Sequence, residues 1–547
     1  MLRKIRIALS AIFFFLITLL FLDFTGTLHV WFGWLARVQL IPAILAVNLA
    51  VVLGLLGLTL LFGRIYCSTL CPLGVLQDGI SNVSGRRKGQ RNRFRFVPAL
   101  PWLRYAVFGV FVVAFVVGHK VAWGGFNAVV SMLDPYSIYG RIAANLFNPL
   151  YRWGNNLLAL IAEQVDSYLF YATDVWLKSS LSLGVAAASL LIIAAIAWRS
   201  GRTYCNAFCP VGTLLGFISR RSVFKIKIDE AKCTGCKRCE RQCKASCIDS
   251  ASKRIDHSRC VVCFNCVSAC KFGGVRFALC TKKKAAQQPP AAGQAVQVDP
   301  IDELLPAADQ IVEPQAEPVA GQTIDSAAGE GTGGSVSKGI SRREAMFGLP
   351  ILVLGSTLPA PLLQVDGGLA DIEDKQTPKR QTRIVPPGAQ GITHFTRHCS
   401  ACHLCITACP NSILRPSSNL TALMQPEMSF ERGYCRPECT KCSQVCPTGA
   451  IKRITAAEKS SIAIGLAIWS AERCIVNRDN VTCRSCERHC PTGAITRVNR
   501  DPNDPESLKI PTVDRELCIG CGACEYRCPS RPLSAIIVEG NAWHHRI

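Results

Sequence analysis

The sequence predicts a membrane α-helical bundle of four spans, followed by small α+β domains organised around cysteines. Two observations predict this fold class. Four apolar runs lie before residue 200, each close to the ~20 residues that a helix needs to cross a bilayer. The 30 cysteines are far above ordinary usage, and most follow as regularly spaced groups of four. A chain of 547 residues has room for several such domains.

The four apolar runs cover residues 5–24, 40–62, 97–118 and 181–198. Lysine and arginine precede the first run, crowd the connection after the second and follow the fourth. By the positive-inside rule these three regions face the cytoplasm, so both ends of the bundle lie on that side. The net charge of +23 is explained by this topology and by anionic cofactors. Because the basic residues form no arm or stripe, we expect no nucleic-acid partner.

The second and fourth runs end in the same motif, GRxYCxxxCPxG, with Cys67 and Cys71 in one copy and Cys205 and Cys209 in the other. This repetition predicts a pseudo-symmetric bundle, residues 1–228, with both pairs at one membrane face. The four cysteines are the candidate catalytic residues, as redox thiols. A thiol relay, a four-cysteine metal site shared between the repeats and redox chemistry beside a quinone all stay open. The alternative is that these thiols are buried and inert.

Behind the bundle, residues 229–282 contain CxxCxxCxxxC twice. This is the spacing of bacterial-type ferredoxins, in which two 4Fe-4S clusters are bound and the fourth cysteine of one motif reaches the other cluster. Zinc knuckles end in a second pair of ligands instead, which disfavours them. Lys244 and Lys271 follow the fourth cysteines, where proline is commoner, and place positive charge beside the clusters. The predicted cofactor-binding residues are Cys233, Cys236, Cys239, Cys243, Cys260, Cys263, Cys266 and Cys270.

A change of composition marks residues 283–340, which are rich in Ala, Gln, Pro, Glu, Asp and Gly. We expect a disordered linker there. Residues 341–365 then carry Arg342 and Arg343 before an apolar stretch, as is typical of a twin-arginine export signal or anchor. That route would suit a domain whose metal clusters are inserted before it crosses the membrane. The alternative is a basic pair beside a short buried helix.

The last domain, residues 366–547, contains four further quartets, each closed by a proline, with the first gap stretched in the second and third. So little other core surrounds them that metal is expected to hold the domain together. The total is six predicted 4Fe-4S clusters. Cys399 to His403 also reads CxxCH, the attachment signature of c-type haem, but Cys405 and Cys409 follow in ferredoxin register and favour a cluster. The predicted metal ligands are Cys399, Cys402, Cys405, Cys409, Cys435, Cys439, Cys442, Cys446, Cys474, Cys483, Cys486, Cys490, Cys518, Cys521, Cys524 and Cys528.

Two histidines, His29 and His119, lie at the predicted outer edge of the bundle. Such a pair can ligate a b-type haem or hydrogen-bond a quinol, although an edge histidine is most often an interfacial polar residue. Neither a dinucleotide-binding glycine loop nor a Ser-His-Asp set is evident. The predicted chemistry therefore belongs to the cofactors.

Residues 1 to about 280 resemble NapH, the polytopic membrane ferredoxin of periplasmic nitrate reductase systems, in the four spans, the two CxxxCP motifs, the stretch 130–133 and the two 4Fe-4S motifs. Residues from about 341 onward resemble NapG, its exported four-cluster partner, in the twin arginines, the stretch 386–389 and the stretched third motif. Fusion of both in one chain departs from the family and leaves the terminal acceptor open.

The resemblance implies a quinol dehydrogenase module in the bacterial inner membrane, in contact with lipid and the quinone pool. The first ferredoxin module would be cytoplasmic and the four-cluster domain periplasmic. Electrons would pass from quinol through the clusters to a c-type cytochrome or a periplasmic reductase. For the last domain the resemblance implies nested pairing, first quartet with fourth and second with third.

Two other functions stay open. The combination of transmembrane CxxxCP motifs and ferredoxin clusters also resembles NosR, an accessory protein of nitrous oxide reductase, which would make the chain a factor that reduces or activates a metalloenzyme. NosR-like proteins carry a flavin-attachment motif, of which this sequence has only Pro-Thr-Gly-Ala-Ile at 447–451. The other open function is that of a redox sensor, in which the clusters are structural.

Overall fold

The computed structural model describes residues 1–23, 25–86, 94–121, 124–164, 166–167, 170–280, 364–365 and 371–547. The chain divides into two units, Met1–Thr281 with Ile372–Ile547 and, separately, Lys282–Asp371. Of the second unit, the described residues are the short strand Gln364–Val365 and Asp371. The predicted linker and the twin arginines lie outside the described residues. The rest of the description concerns the first unit.

Long apolar runs make most of the described residues between 2 and 219 helical. Three helices, each of 21 residues, are long and apolar enough to cross a membrane. The last of them begins at a serine cap, where the Ser179 side chain accepts from the Ser182 N–H, and it ends at Gly201 with φ +68°. The helices in chain order are Leu2–Leu22, Thr27–Phe32, Trp34–Arg37, Leu40–Leu45, Leu49–Phe62, Tyr66–Thr69, Pro72–Ser84, Pro101–Val121, Gly124–Leu133, Pro135–Ile142, Ala143–Phe147, Asn148–Glu163, Ser180–Ser200, Thr203–Ala207 and Pro210–Ser219.

The second predicted span is not one helix, which corrects the prediction of four continuous spans. It consists of Leu40–Leu45 and Leu49–Phe62. Between them Val47 has a positive φ of 54°, a conformation in which a β-branched residue cannot continue a helix. The Asn48 side chain then accepts from the Val51 N–H at 3.3 Å and caps the next helix. Among the described residues, three helices therefore reach spanning length, and Leu49–Phe62 is shorter.

Residues 224–280 form the first small domain, which consists of short helices and antiparallel strand pairs. Strand Phe224–Ile228 pairs with Val275–Leu279, and the two-residue strands Ile248–Asp249 and Arg254–Ile255 pair with each other. The helices Arg238–Arg241 and Asn265–Ala269 each carry the third cysteine of a quartet.

Residues 373–547 repeat this pattern on a larger scale, with three antiparallel strand pairs, two between consecutive strands and one between strands far apart in the chain. Short helices again carry or follow the cysteines. The paired strands are Leu414–Pro416 with Pro426–Met428, Ile462–Trp469 with Ile536–Arg546, and Ile495–Asn499 with Lys509–Val513. The helices are Ile392–His398, Leu404–Ala408, Leu420–Ala422, Lys441–Val445, Ala456–Ser460, Ile475–Arg478, Ser485–Arg488 and Ala523–Arg527.

The two cysteine-rich domains contact opposite ends of the long helices. In Pro101–Val121, Arg104 near the start donates to the Ser258 hydroxyl of the first small domain at 3.1 Å. Near the end of the same helix, the Lys120 carbonyl accepts from Arg397 of the last domain at 2.9 Å. At a rise of 1.5 Å per residue, these two contacts lie about 24 Å apart along the helix.

The other two long helices repeat this arrangement. The first has Arg3 near its start, donating to Ser268 at 3.4 Å, and Thr25 just beyond its end, whose carbonyl accepts from Lys441 at 2.9 Å. The third runs in the opposite sense. Lys178, just before it, donates to the Ile406 carbonyl at 3.0 Å, and Arg202, just after it, donates its N–H to the Lys244 carbonyl at 2.9 Å.

Candidate metal centres

Four of the six ferredoxin-type quartets wrap their first three cysteines in the same loop. The residues two and four positions after the first cysteine have positive φ, and the third cysteine follows on a short helix. Left-handed residues at alternate positions turn backbone N–H groups toward one side and form a concavity that suits an anion. The Ala401 and Leu404 N–H groups donate in this way to Cys399 and Cys402. The left-handed pairs are Gly235 with Lys237, Val262 with Phe264, Ala401 with His403, and Gly520 with Gly522.

In the first small domain the fourth cysteine of each motif joins the other motif. Cys270 lines one cavity with Cys233, Cys236 and Cys239. In the other group, Cys263 and Cys266 interact electrostatically with Cys243 and Cys260. This exchange is the one that the spacing predicts. Cys247, which the sequence left unassigned, is buried with its sulfur 3.5 Å from that of Cys243.

The last domain exchanges its fourth cysteines between consecutive motifs. Cys409 lines a cavity with Cys435, Cys439 and Cys442, while Cys446 interacts with Cys399, Cys402 and Cys405. In the second half, Cys490 lines a cavity with Cys518, Cys521 and Cys524, and Cys528 interacts with Cys486. The nested pairing implied by the resemblance is therefore wrong for this structure. The first motif pairs with the second and the third with the fourth.

The four groups of the last domain follow one another from the bundle outward. The Cys402 carbonyl packs against Gly140 of the bundle so closely that a Cβ there would lie 2.4 Å from the oxygen. The Cys435 N–H donates to the Cys521 carbonyl at 2.9 Å and links the two halves. Cys490 and Cys528 then connect to the remaining group, whose Cys483 and Cys486 are only partly buried.

The donor sets of these groups fit 4Fe-4S clusters. Five of the groups bring four thiols together, and the sixth brings together Cys483, Cys486 and Cys528. Thiols are the ligand that such clusters require. In the described ranges no three Cys, His, Asp or Glu side chains gather as a single metal ion would need, and a cluster holds its ligands farther apart than one ion does. Cations also lie nearby. Burial lowers the pKa of Lys178 to about 8 and the pKa of Lys375 to about 8, and Lys375 donates to the Cys528 carbonyl at 3.0 Å.

His403, the histidine of the CxxCH sequence, is engaged by the protein through both ring nitrogens. Its Nε2 donates to the Met424 carbonyl at 3.0 Å, and its Nδ1 accepts from Asn145 at 3.4 Å. Neither nitrogen is free for a haem iron, which agrees with the prediction of a cluster.

The four cysteines of the repeated motif meet in the bundle at the end that contacts the first small domain. Cys67 and Cys205 lie on short helices, while Cys71 and Cys209 cap the helices that begin at Pro72 and Pro210. All four are buried, and every pair among them interacts electrostatically. The two pairs thus belong to one cluster of thiols.

The two repeats clasp each other through the arginines of their motifs. Arg64 donates to the Cys205 carbonyl at 3.1 Å, and Arg202 donates to the Cys67 carbonyl at 2.6 Å. The glycines of the motifs make room for these contacts. A Cβ on Gly212 would lie 2.2 Å from the Cys205 carbonyl and 2.6 Å from Arg64, and one on Gly74 would lie 2.4 Å from the Cys67 carbonyl.

Asp78 anchors the same region. Its carboxylate accepts from Arg202 at 2.8 Å and from Arg6 at 3.0 Å, and Lys244 approaches it at 3.6 Å. Lys244 also donates to Asn82 at 2.8 Å. The lysine that replaces the usual proline therefore fixes the first small domain to the bundle.

His29 and His119 do not face each other as a ligand pair. His29 is held by Asp23, with Nδ1 and the carboxylate 3.0 Å apart. His119 instead meets His398 of the last domain edge to face, with ring centroids 5.4 Å apart. His398 stacks on His394 at 4.3 Å, so three histidines lie where the last domain meets the bundle.

Comparison with known proteins places the chain in a family. It is 32% identical over 160 residues to the methylamine utilization ferredoxin-type protein MauM of Methylophilus methylotrophus, an alignment that covers 28% of this chain and 70% of that protein. The chain belongs to the ferredoxin-type proteins. No solved structure matches it.

Two more ferredoxin-type relatives come from Escherichia coli K12. NapF is 29% identical over 181 residues, which are 32% of this chain and 97% of NapF. NapG is 28% identical over 205 residues, which are 34% of this chain and 87% of NapG. The relationship to NapG predicted from the motifs is therefore confirmed. The chain is an iron-sulfur protein of the electron-transport class.

Family models also match parts of this ferredoxin-type protein. The model described as a 4Fe-4S dicluster domain matches residues 481–531. The model described as a 4Fe-4S binding domain matches residues 44–90 and 183–229, which are the two repeats of the bundle and contain only two cysteines each. The sequence had assigned no role to Arg64 and Arg202, although their repetition beside each CxxxCP motif was the signal that could have found them.

Proposed function

We propose that this ferredoxin-type protein carries electrons through iron-sulfur clusters from one face of a membrane to the other. The carrying observation is that the three long helices contact the two-motif domain at one end and the four-motif domain at the other. Bound clusters would supply one-electron transfer. The chain's own residues would hold them at the two ends of the bundle.

The proposed ligands are the six ferredoxin-type quartets, grouped with exchanged fourth cysteines. Within the last domain this grouping supports a linear path from the Cys402 group beside the bundle to the Cys486 group at the far side. This group ends the path and its Cys483 and Cys486 are only partly buried, so we propose that a c-type cytochrome or a periplasmic reductase accepts electrons there.

The charge distribution supports a cytoplasmic position for the two-motif domain. Arg3, Arg86 and Arg199 lie at the same end of the bundle as that domain, as the positive-inside rule requires of a cytoplasmic face. The opposite end would then face the periplasm of a bacterial inner membrane. A phosphatase fused after Ile547 tests this orientation, since it should be active; activity of a cytoplasmic reporter instead would contradict it.

Quinol is the proposed electron donor to the last domain, where its electrons would join those that cross the bundle, and the three-histidine cluster supports it. Quinol oxidation releases protons as well as electrons, so a donor site needs a base next to an electron acceptor. His119 lies exposed at the end of a long apolar helix. His398, in contact with it, immediately precedes the proposed ligand Cys399. A quinol at this edge would thus find a base and a cluster together.

Reduction by menadiol tests the donor. In anaerobic membranes, menadiol should reduce the clusters, as seen by EPR. The substitutions His119→Ala and His398→Gln should each slow this at least about tenfold, because a positioned base is lost. His29→Gln is the matched control and should not slow it. If menadiol reduces none of the clusters that dithionite reduces, quinol oxidation is refuted. Electron transfer across the bundle is tested by a separate experiment.

A further inference from the structure

Neither repeat of the bundle has enough cysteines to bind a 4Fe-4S cluster by itself. Each repeat matches a 4Fe-4S binding domain model but contributes only two cysteines, whereas a 4Fe-4S cluster takes four. The fold brings both pairs together. We propose that Cys67, Cys71, Cys205 and Cys209 jointly bind one additional iron-sulfur cluster, with two thiolate ligands from each repeat.

Buried positive charge lies around the thiols and would be balanced by a bound anion. Arg64 and Arg202 are both 0% exposed. Arg202 is paired with Asp78. Among the described residues, the oxygens that accept from Arg64 are the neutral ones of Asn206, Ser258 and Cys205. A buried cation without a counter-ion is costly. A cluster with four thiolate ligands is an anion, and Arg64 lies next to it, 3.9 Å from the Cys67 sulfur.

Several buried donors near the thiols lack an acceptor among the described residues. They are Nε of Arg64, Nη2 of Arg202 and Nε2 of Gln77. Gln77 lies against the thiols, since its Oε1 accepts from the Cys205 thiol at 3.5 Å. Buried donors are nearly always satisfied. The inorganic sulfides and thiolate sulfurs of a cluster are acceptors of the kind that these N–H groups require.

Two helix N-termini add to the positive electrostatic potential at the thiols. Cys71 and Cys209 are the N-cap residues of Pro72–Ser84 and Pro210–Ser219. The Gly212 N–H donates to the Cys209 sulfur at 3.3 Å. The positive end of a helix dipole favours the thiolate over the thiol, and thiolate is the form that binds iron.

Geometry favours a cluster over a single ion. Within the described part of the chain, these four cysteines are no more drawn together for one ion than the ferredoxin-type quartets are. A zinc or copper ion would require a tighter tetrahedral or trigonal set.

The site lies between the two groups of proposed clusters. On one side, Arg64 donates to the Ser258 carbonyl, two residues before Cys260. On the other, Asp134 interacts electrostatically with Tyr204 beside the thiols and with Cys402 of the last domain. Its place in the electron path rests on the proposed function, but binding does not. There the four cysteines would hold a cluster that supplies one-electron transfer between the neighbouring clusters, with no bond made or broken.

Iron and acid-labile sulfide per chain, measured on full-length protein purified without oxygen, test the binding. The double variant Cys67→Ser with Cys205→Ser should lose about four iron and four sulfide, one cluster, while the EPR signals of the ferredoxin-type clusters persist. Cys280→Ser, which changes an exposed cysteine outside every quartet, is the control and should lose none.

If the double variant does not fold, the iron content of the wild-type protein still tests the proposal. This iron content should exceed that of six clusters by about four atoms per chain. Iron equal to six clusters, stoichiometric zinc or copper lost in the double variant, or a disulfide among these cysteines would each overturn the proposal. None of these results would refute transfer through the six other clusters.

Discussion

The cysteine loops of the two small domains and the cysteine pairs of the bundle are two ways of building a thiol site. In a regular loop, one short segment supplies three cysteines, and left-handed residues such as Gly235 and Lys237 fold it around the ligand. In the bundle, each segment supplies two cysteines. The site exists only because Arg64 and Arg202 bind the opposite repeat. The difference shows that a local site depends on its ligand for structure, whereas an assembled site depends on the fold.

Removal of iron should have the largest effect and should separate the two kinds of site. An anaerobic chelator should unfold residues 373–547, because the cysteine loops packed into their core would lose the metal that holds them, while the bundle helices persist. Limited proteolysis followed by mass spectrometry should show cleavage throughout the last domain and a protected bundle. Equal protection of both regions after complete iron loss would contradict the account.

Arg202→Gln should have the next largest effect, on the assembled site. It removes one partner of a buried ion pair with Asp78 and the contact with the Cys67 carbonyl, at a cost of about 3–5 kcal/mol in the free energy of unfolding. Thermal unfolding in detergent measures this cost. Arg199→Gln, at an exposed position three residues earlier, is the control; an equal loss in both variants would argue against the clasp.

Gly212→Ala should cost less. Its Cβ would meet the Cys205 carbonyl and Arg64 at 2.2 and 2.6 Å, an overpacking that typically costs about 1–3 kcal/mol. Gly184→Ala is matched to it, because that glycine also lies in a bundle helix and its Cβ would meet nothing within 4 Å. The same unfolding assay should separate the two, and a Gly212→Ala midpoint at or above that of Gly184→Ala would contradict the close approach.

Lys237→Gly should have the smallest effect, in the opposite direction. Lys237 is exposed and has φ 57°, and relief of left-handed strain should stabilise the loop by about 1 kcal/mol. Bleaching of the iron-sulfur absorbance in denaturant reports it. Lys232→Gly, one residue before the first cysteine of the same loop, should give no such gain, and a gain in both would remove the conformational argument.

The sequence predicts local features, such as the cysteine loops, better than it predicts features assembled from distant segments. Quartet spacing is local, so the exchange of Cys243 and Cys270 could be foreseen, as could the apolar helices. The break at Val47 and Asn48 was missed, although Pro42 and the polar Asn48 interrupt the apolar run there. The consecutive pairing of the last domain could not be foreseen, since spacing alone does not say which loops become neighbours.

Contacts between distant segments were equally beyond the sequence. Lys244 looked like a local departure from the ferredoxin pattern, yet it reaches Asp78 and Asn82 in the bundle. His119 was considered with His29, but its neighbour is His398, far along the chain. Such partners are fixed by docking of whole domains and leave no periodic signal.

Electron transfer through sealed, quinone-free proteoliposomes tests the central claim most directly. Ferricyanide is trapped inside, dithionite is added outside, and loss of ferricyanide absorbance is followed. Wild-type protein should reduce the trapped ferricyanide at a rate proportional to the protein incorporated, and the Cys67→Ser, Cys205→Ser variant should fall to the rate of protein-free vesicles. A wild-type rate no faster than protein-free vesicles would contradict conduction through the bundle.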